Sequence, residues 1–175
     1  AVMCKMANET TLLHKLIDPN RPVVIFDHDA GWDENYGPEQ CQEQNDHGQI
    51  CNVGEARIVD QIVRKLLEYG IQDRQIGVMS MYKAQMSLLR TTFEDTNIEV
   101  LTADQFQGRD KDCIVVSMVR SNPDQSSGVL LRDIRRMNVA MSRAKKKLIV
   151  VCSWQCVSAI HSLKPFINHV VRNLS

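Results

Sequence analysis

Apolar residues fall along this chain in two rhythms. From Asn52 to Gly70, in NVGEARIVDQIVRKLLEYG, the residues Ile58, Ile62, Val63, Leu66 and Leu67 recur with the 3.6-residue period of a helix. Asn52 suits its N-cap and Gly70 its stop. YKAQMSLLRTTFE, starting at Tyr82, also reads as a helix. So does Leu130–Ala144, with Ile134, Met137, Ala140, Met141 and Ala144 as its stripe. By contrast VVIF, QIGVMSM, IEVLT, DCIVVSMV and KKLIVVCS are apolar at consecutive positions. Short runs of that kind predict strands buried on both faces. Strands alternating with helices predict an α/β fold, a mainly parallel sheet with helices on both faces.

The remaining stretches are less regular. Residues 3–17 carry helical spacing, with Leu12, Leu13, Leu16 and Ile17 as a stripe, and DPNRP ends that helix. Asp27–Val53 is rich in Asp, Glu, Gln, Asn and Gly and is read as an irregular, disordered loop. WQCVSAIHSL and PFINHVVRNL read as closing helices. The expected division is an N-terminal helix and first strand over 1–26, a polar loop over 27–53, a core over 54–153 and C-terminal helices over 154–175.

Composition narrows the function classes. The 175 residues suit one domain, 43% hydrophobic and 24% charged with zero formal net charge. Attraction to nucleic acid must therefore come from local clustering. Arg132–Lys147 supplies it, with seven basic residues opposed by Asp133 alone. No apolar run approaches the ~20 residues that span a bilayer, so no membrane partner is expected. The six cysteines form no CxxC pair and read as reduced thiols. His47 and Cys51 make at most half a metal site, so no metal ligands are expected. The chain opens without methionine and reads as a fragment or a processed product.

Four clusters carry candidate chemistry. In parallel sheets ligands bind beyond the carboxyl ends of the strands, so polar residues just after apolar runs matter most. In LTADQFQGRDKD, Thr102 and Asp104 follow a strand, and Gln107, Gly108, Arg109 and Asp110 form a polar turn. A helical turn capped by Asp104 and stopped by glycine is the simpler reading of that spacing. Ser117 and Arg120 flank the end of the next strand, where arginine can grip phosphate; a solvated loop arginine is the plainer alternative. In RRMNVAMSRAKKK, Arg136 and Arg143 stand two helical turns apart on one azimuth, off the apolar stripe. Spacing alone favours a solvated basic face there. Tyr82, Lys83 and Gln85 follow a strand and open a helix, where an aromatic can stack on a base or simply pack on the core rim. GxxxxGK[ST] is absent, and no strand ends in an Asp-Glu pair.

In this order the clusters resemble the second RecA-like motor domain of superfamily 1 helicases, in the group that translocates 5′ to 3′. IGVMSMYKAQMSLLR is similar to motif IV, VLTADQFQGRDKDCIVVSMVRSN to motif V, and RDIRRMNVAMSRAKKKLIVV to motif VI. The match runs from about Val53 to Ser153. Its wording is nearest to the eukaryotic DNA-replication helicase–nucleases, with the RNA helicases of nonsense-mediated decay as the alternative.

The resemblance implies a RecA-like three-layer fold without its own phosphate loop. It implies that Arg143 is an arginine finger. Gln107, Gly108, Asp110 and Arg136 are then nucleotide-cleft residues, and Tyr82, Gln85, Thr102 and Arg120 nucleic-acid-binding ones. Single-stranded DNA is the expected partner, RNA the alternative. ATP and magnesium would be held mainly by an N-terminal motor domain of the same protein. An iron–sulfur cluster would belong to a nuclease domain. The expected compartment is the nucleus, with mitochondrion or cytoplasm as further places. Met81 in place of the usual proline and Asp110 in place of glutamate depart from the pattern. A truncated, non-catalytic nucleic-acid-binding module is the rival class.

Overall fold

The computed structural model describes residues 2–4, 14–29, 38–102, 104–105, 108–126, 128, 131, 133, 138 and 142–164, with only the backbone for 2–4 and 162. In chain order the elements are β1 (Val2–Cys4), β2 (Val23–Asp27), β3 (Gln44–Asp46), β4 (Gln49–Cys51), α1 (Val53–Glu68), β5 (Ile76–Ser80), α2 (Lys83–Thr92), β6 (Glu99–Leu101), β7 (Lys111–Ser117), β8 (Ala144–Cys152) and α3 (Trp154–Ser158). Six strands form one sheet in the order β1-β2-β8-β7-β5-β6, and every neighbouring pair is parallel.

The continuous apolar runs are strands because both faces of the sheet are covered. Val24, Phe26, Val78, Val115, Ile149 and Val151 pack on one face with Ile58, Ile62 and Leu66 of α1 and Leu89 of α2. The alternate residues Ile25, Met79, Ile114, Val116, Leu148 and Val150 pack on the other, with Val157, Ile160 and Leu163. Successive side chains of a strand point to opposite faces. A strand clad on both sides is therefore apolar along most of its covered length.

The Asn52 Oδ1 accepts from the Glu55 N–H at 2.8 Å and caps α1. Gly70, at φ +98°, ends it. Gly54 is required in the first turn for a different reason. A Cβ there would lie 2.1 Å from the Gln40 carbonyl oxygen and 2.9 Å from the Cys41 Cα, so the backbones of α1 and of the 3₁₀ segment Pro38–Cys41 touch.

Three readings from the sequence need correction. Val2–Cys4 is an edge strand paired with β2, although residues 14–17 are helical as expected. Leu12 and Leu13 lie outside the described residues. The stretch Asp27–Val53 is not simply an irregular loop: β3 and β4 form an antiparallel hairpin with Asn45 opposite Ile50. Its two-residue turn places both His47 (φ 49°) and Gly48 (φ 83°) in the left-handed region, as a type I′ turn demands. The Asn45 Oδ1 accepts from the Gly48 N–H at 3.0 Å. β3 is three exposed polar residues and β4 only the three-residue Gln-Ile-Cys, too short for a period to show, so the hairpin was invisible in the pattern. Third, Ala144, expected to end a helix, begins β8. Most of the helix expected before it lies outside the described residues.

Candidate functional site

The expected site residues divide between opposite edges of the sheet. At the amino edge, Asp110 stands just before β7 and Arg143 just before β8. The two strands are parallel neighbours with Lys111 opposite Ala144, so the two side chains meet. The Arg143 Nη1 lies 3.3 Å from the Asp110 Oδ1, with the side chains 29% and 43% exposed. The Lys111 N–H donates to the Arg143 carbonyl at 3.2 Å and fixes the backbone there. Among the described residues the buried Arg143 Nε–H has no hydrogen-bond partner. An orphaned charged donor of this kind is costly and suits an incoming anion. Gly108 is exposed with φ +79°. Gln107 and Arg136 lie outside the described residues.

Neighbouring acids on this edge already have cations. Glu99 accepts from the Lys111 Nζ at 2.8 Å and the Arg109 Nη1 at 2.9 Å. These bonds, Lys111 first, hold its carboxyl below the usual glutamate range. Asp112 accepts from the Lys146 Nζ at 3.0 Å and the Gln75 amide at 2.8 Å, and the lysine above all lowers it. The expectation that ligands gather beyond carboxyl ends therefore does not cover Asp110 and Arg143.

At the carboxyl edge, Tyr82 follows β5 and Thr102 follows β6. With Lys83, Asp104 and the hairpin residues Gln49 and Ile50, they line a cavity of about 580 Å³. Thr102 and Gln105 close a reciprocal turn: the Thr102 N–H donates to the Gln105 Oε1 at 3.0 Å, and the Gln105 N–H to the Thr102 Oγ1 at 3.3 Å. Tyr82 is buried, and burial raises its phenol, an effect that Arg120 opposes.

Two residues expected on the nucleic-acid surface are turned inward. Gln85 is fully buried. Its Oε1 accepts from the Asn52 N–H at 2.8 Å, and its amide nitrogen donates to the Asn52 carbonyl at 3.1 Å and the Ser117 Oγ at 3.0 Å. Arg120 pairs with Glu43 at 2.7 Å, with side chains only 12% and 11% exposed. The same Glu43 oxygen accepts from the Ser121 N–H at 3.0 Å and the Asn122 amide at 3.1 Å.

Behind them lies a polar network that the sequence did not single out. The buried Glu55 accepts from the Ser117 hydroxyl at 2.5 Å and the Val119 N–H at 2.8 Å. Its other oxygen lies 3.0 Å from the His28 Nε2. Val119 has φ 72°, a strained conformation for a β-branched residue, and its carbonyl accepts from the Asn52 Nδ2 at 3.0 Å. The one available signal was a glutamate on the apolar face of α1, one turn before Ile58 and Val59. With serine on glutamate and histidine beyond it, all buried, this is a brace rather than a hydrolytic triad, which needs the base between nucleophile and acid.

A family model described as an AAA domain matches residues 3–155. The chain belongs to that family. Within it the domain is a RecA-like α/β motor domain of superfamily 1 helicase type. It is 41% identical over 165 residues to the DNA replication ATP-dependent helicase/nuclease DNA2 of Saccharomyces cerevisiae, covering 93% of this chain and 10% of that protein. Identity to the helicase/nuclease JHS1 of Arabidopsis thaliana is 37% over 171 residues, 97% of this chain and 12% of the relative. Identity to the Homo sapiens DNA2 is 33% over 157 residues, 89% and 14%. The chain thus spans a small fraction of these relatives' length.

Among the described residues no three His, Cys, Asp or Glu side chains converge to hold an ion. Cys41, Cys51, Cys113, Cys152 and Cys156 are free thiols. No described helix is long and apolar enough to cross a membrane.

Proposed function

We propose that this motor domain is the second of two in an ATP-dependent DNA helicase that moves 5′ to 3′, of the replication and repair helicase/nuclease type working in the nucleus. The observation that carries this reading is Arg143: an ion-paired, partly exposed guanidinium at the amino edge whose buried Nε–H has no partner among the described residues. ATP with magnesium, held mainly by the first motor domain, supplies the phosphoryl transfer that drives movement. Arg143 turns toward that nucleotide as an arginine finger and stabilises the charge that develops on the departing phosphoryl group. Asp110 orients the guanidinium. Gly108 lets the backbone approach closely, and Gln107 and Arg136 complete this side of the cleft. Tyr82 and Thr102 face single-stranded DNA across the opposite edge, while Gln85 and Arg120 position them from inside. The relatives' names, which specify DNA replication, favour DNA over RNA. An iron–sulfur cluster belongs to the nuclease part of such a protein.

The test is Arg143→Ala in the full-length protein. Turnover should fall roughly 10³-fold or more, with nucleotide affinity changed only slightly. Unchanged turnover would overturn the reading. Residues 1–175 alone should show no magnesium-dependent ATP hydrolysis.

A further inference from the structure

The β3–β4 hairpin belongs to none of the recognised motifs, yet its tip closes one side of the carboxyl-edge cavity. Gly48, Gln49 and Ile50 face Tyr82, Lys83 and Thr102 across about 580 Å³. That volume lies in the range of roughly 300–1,000 Å³ that encloses a small ligand, so it can take an unstacked nucleotide. A duplex keeps its base faces covered and offers this lining only phosphates.

Both ends of the hairpin are clamped. Glu43, just before β3, is held by Arg120, Ser121 and Asn122. Asn52, just after β4, is held by Gln85, the Cys41 carbonyl and the Val119 carbonyl. Gln85 belongs to α2, whose first turn forms the opposite wall, and Arg120 backs Tyr82. The buried groups that keep Gln85 and Arg120 from touching nucleic acid therefore fix the distance between the two walls.

We propose that the hairpin tip is the outer wall of the single-strand groove, with Gln49 and Ile50 in contact with the bound strand. The occupant is single-stranded DNA, a choice that rests on the function proposed above. Lys83 is the one cation among the described lining residues, and Asp104 the one acid. Ile50 and Met81 offer apolar surface to a base face, and the exposed Gln49 amide can bond a base edge or a phosphate. Base stacking on such surface tolerates any sequence.

The experiment uses the full-length protein and a fluorescein-labelled oligothymidylate followed by anisotropy. Gln49→Glu places a charge at an exposed position without disturbing the core. It should raise Kd roughly fivefold or more at low salt, the effect shrinking as salt rises, with the melting temperature unchanged. Oligonucleotides carrying 4-thiothymidine should cross-link to residues 48–50. Lys83→Ala reports separately on the groove. If Lys83→Ala weakens binding while Gln49→Glu does not, and the cross-links avoid 48–50, the hairpin wall is wrong and the groove stands. If neither substitution weakens binding, the groove itself is not where the strand lies.

Discussion

Gln85 and Asn52 bond each other as two β-strand residues would, side-chain amide against backbone, with nitrogen-to-oxygen distances of 2.8 and 3.1 Å. No other polar side chain of α2 is buried. Gln85→Ala would leave the buried Asn52 N–H without this partner, while the Asn52 carbonyl keeps the Ala56 N–H at 3.0 Å. An unsatisfied buried group costs about 1–3 kcal/mol, so we expect a loss of about 1–3 kcal/mol in urea unfolding. The hairpin amides should also exchange faster with deuterium. A loss within experimental error of zero would mean that water replaces the amide.

That pair also marks where sequence reading stops. Strands β2 and β5 to β8, α1 with its Asn52 cap, and the parallel character of the sheet were legible because burial on two faces forces continuous apolar runs. The motifs were legible as wording. Direction was not: the motif match gave Gln85 a position beside Tyr82 but not the side of α2 it faces. Arg120 looked like a loop arginine, because its partner Glu43 lies 77 residues away in a stretch with no apolar pattern. Asp110 and Arg143 came together only once β7 and β8 proved to be neighbours in parallel register.

Glu55 supports a strained turn. Its carboxylate accepts from the Val119 N–H, and Val119 sits at φ 72°. Backbone strain of this kind costs about 1–3 kcal/mol and persists only where the surroundings impose it. Glu55→Ala should cost about 3–5 kcal/mol, as expected when one partner of a buried charged cluster is removed. A double-mutant cycle with His28→Ala should give a coupling energy of about 1 kcal/mol or more, measured by denaturant midpoint. Simple additivity would show that His28 and Glu55 do not act as a unit.

Gly54→Ala tests the close approach of α1 to Pro38–Cys41. Alanine is ordinarily the better helix former by about 0.8–1 kcal/mol, so a helix-only view forecasts stabilisation. The added methyl would sit 2.1 Å from a backbone oxygen, which cannot rotate away as a side chain can. The expected result is destabilisation by about 1–3 kcal/mol, the usual cost of overpacking. A stabilised variant would show that the 3₁₀ segment yields freely.

Cysteine reactivity gives a chemical map of the core. The thiolate is the attacking species, and burial disfavours it. Burial pushes the Cys113 thiol up to about 12 and the Cys41 thiol up to about 11, and carries Cys152 well above the ordinary thiol range. At pH 8 a thiol with a pKa near 12 is ionised about one part in 10⁴, and Cys113, Cys41 and Cys152 are sealed from reagent as well. Cys51, half-exposed at the end of β4, is open to the reagent. Iodoacetamide at pH 8 should therefore label Cys51 first among these four, with the other three protected until urea unfolds the domain. Mass spectrometry of tryptic peptides reads the order directly, and early labelling of Cys113 would contradict the packing of β7 between its neighbours.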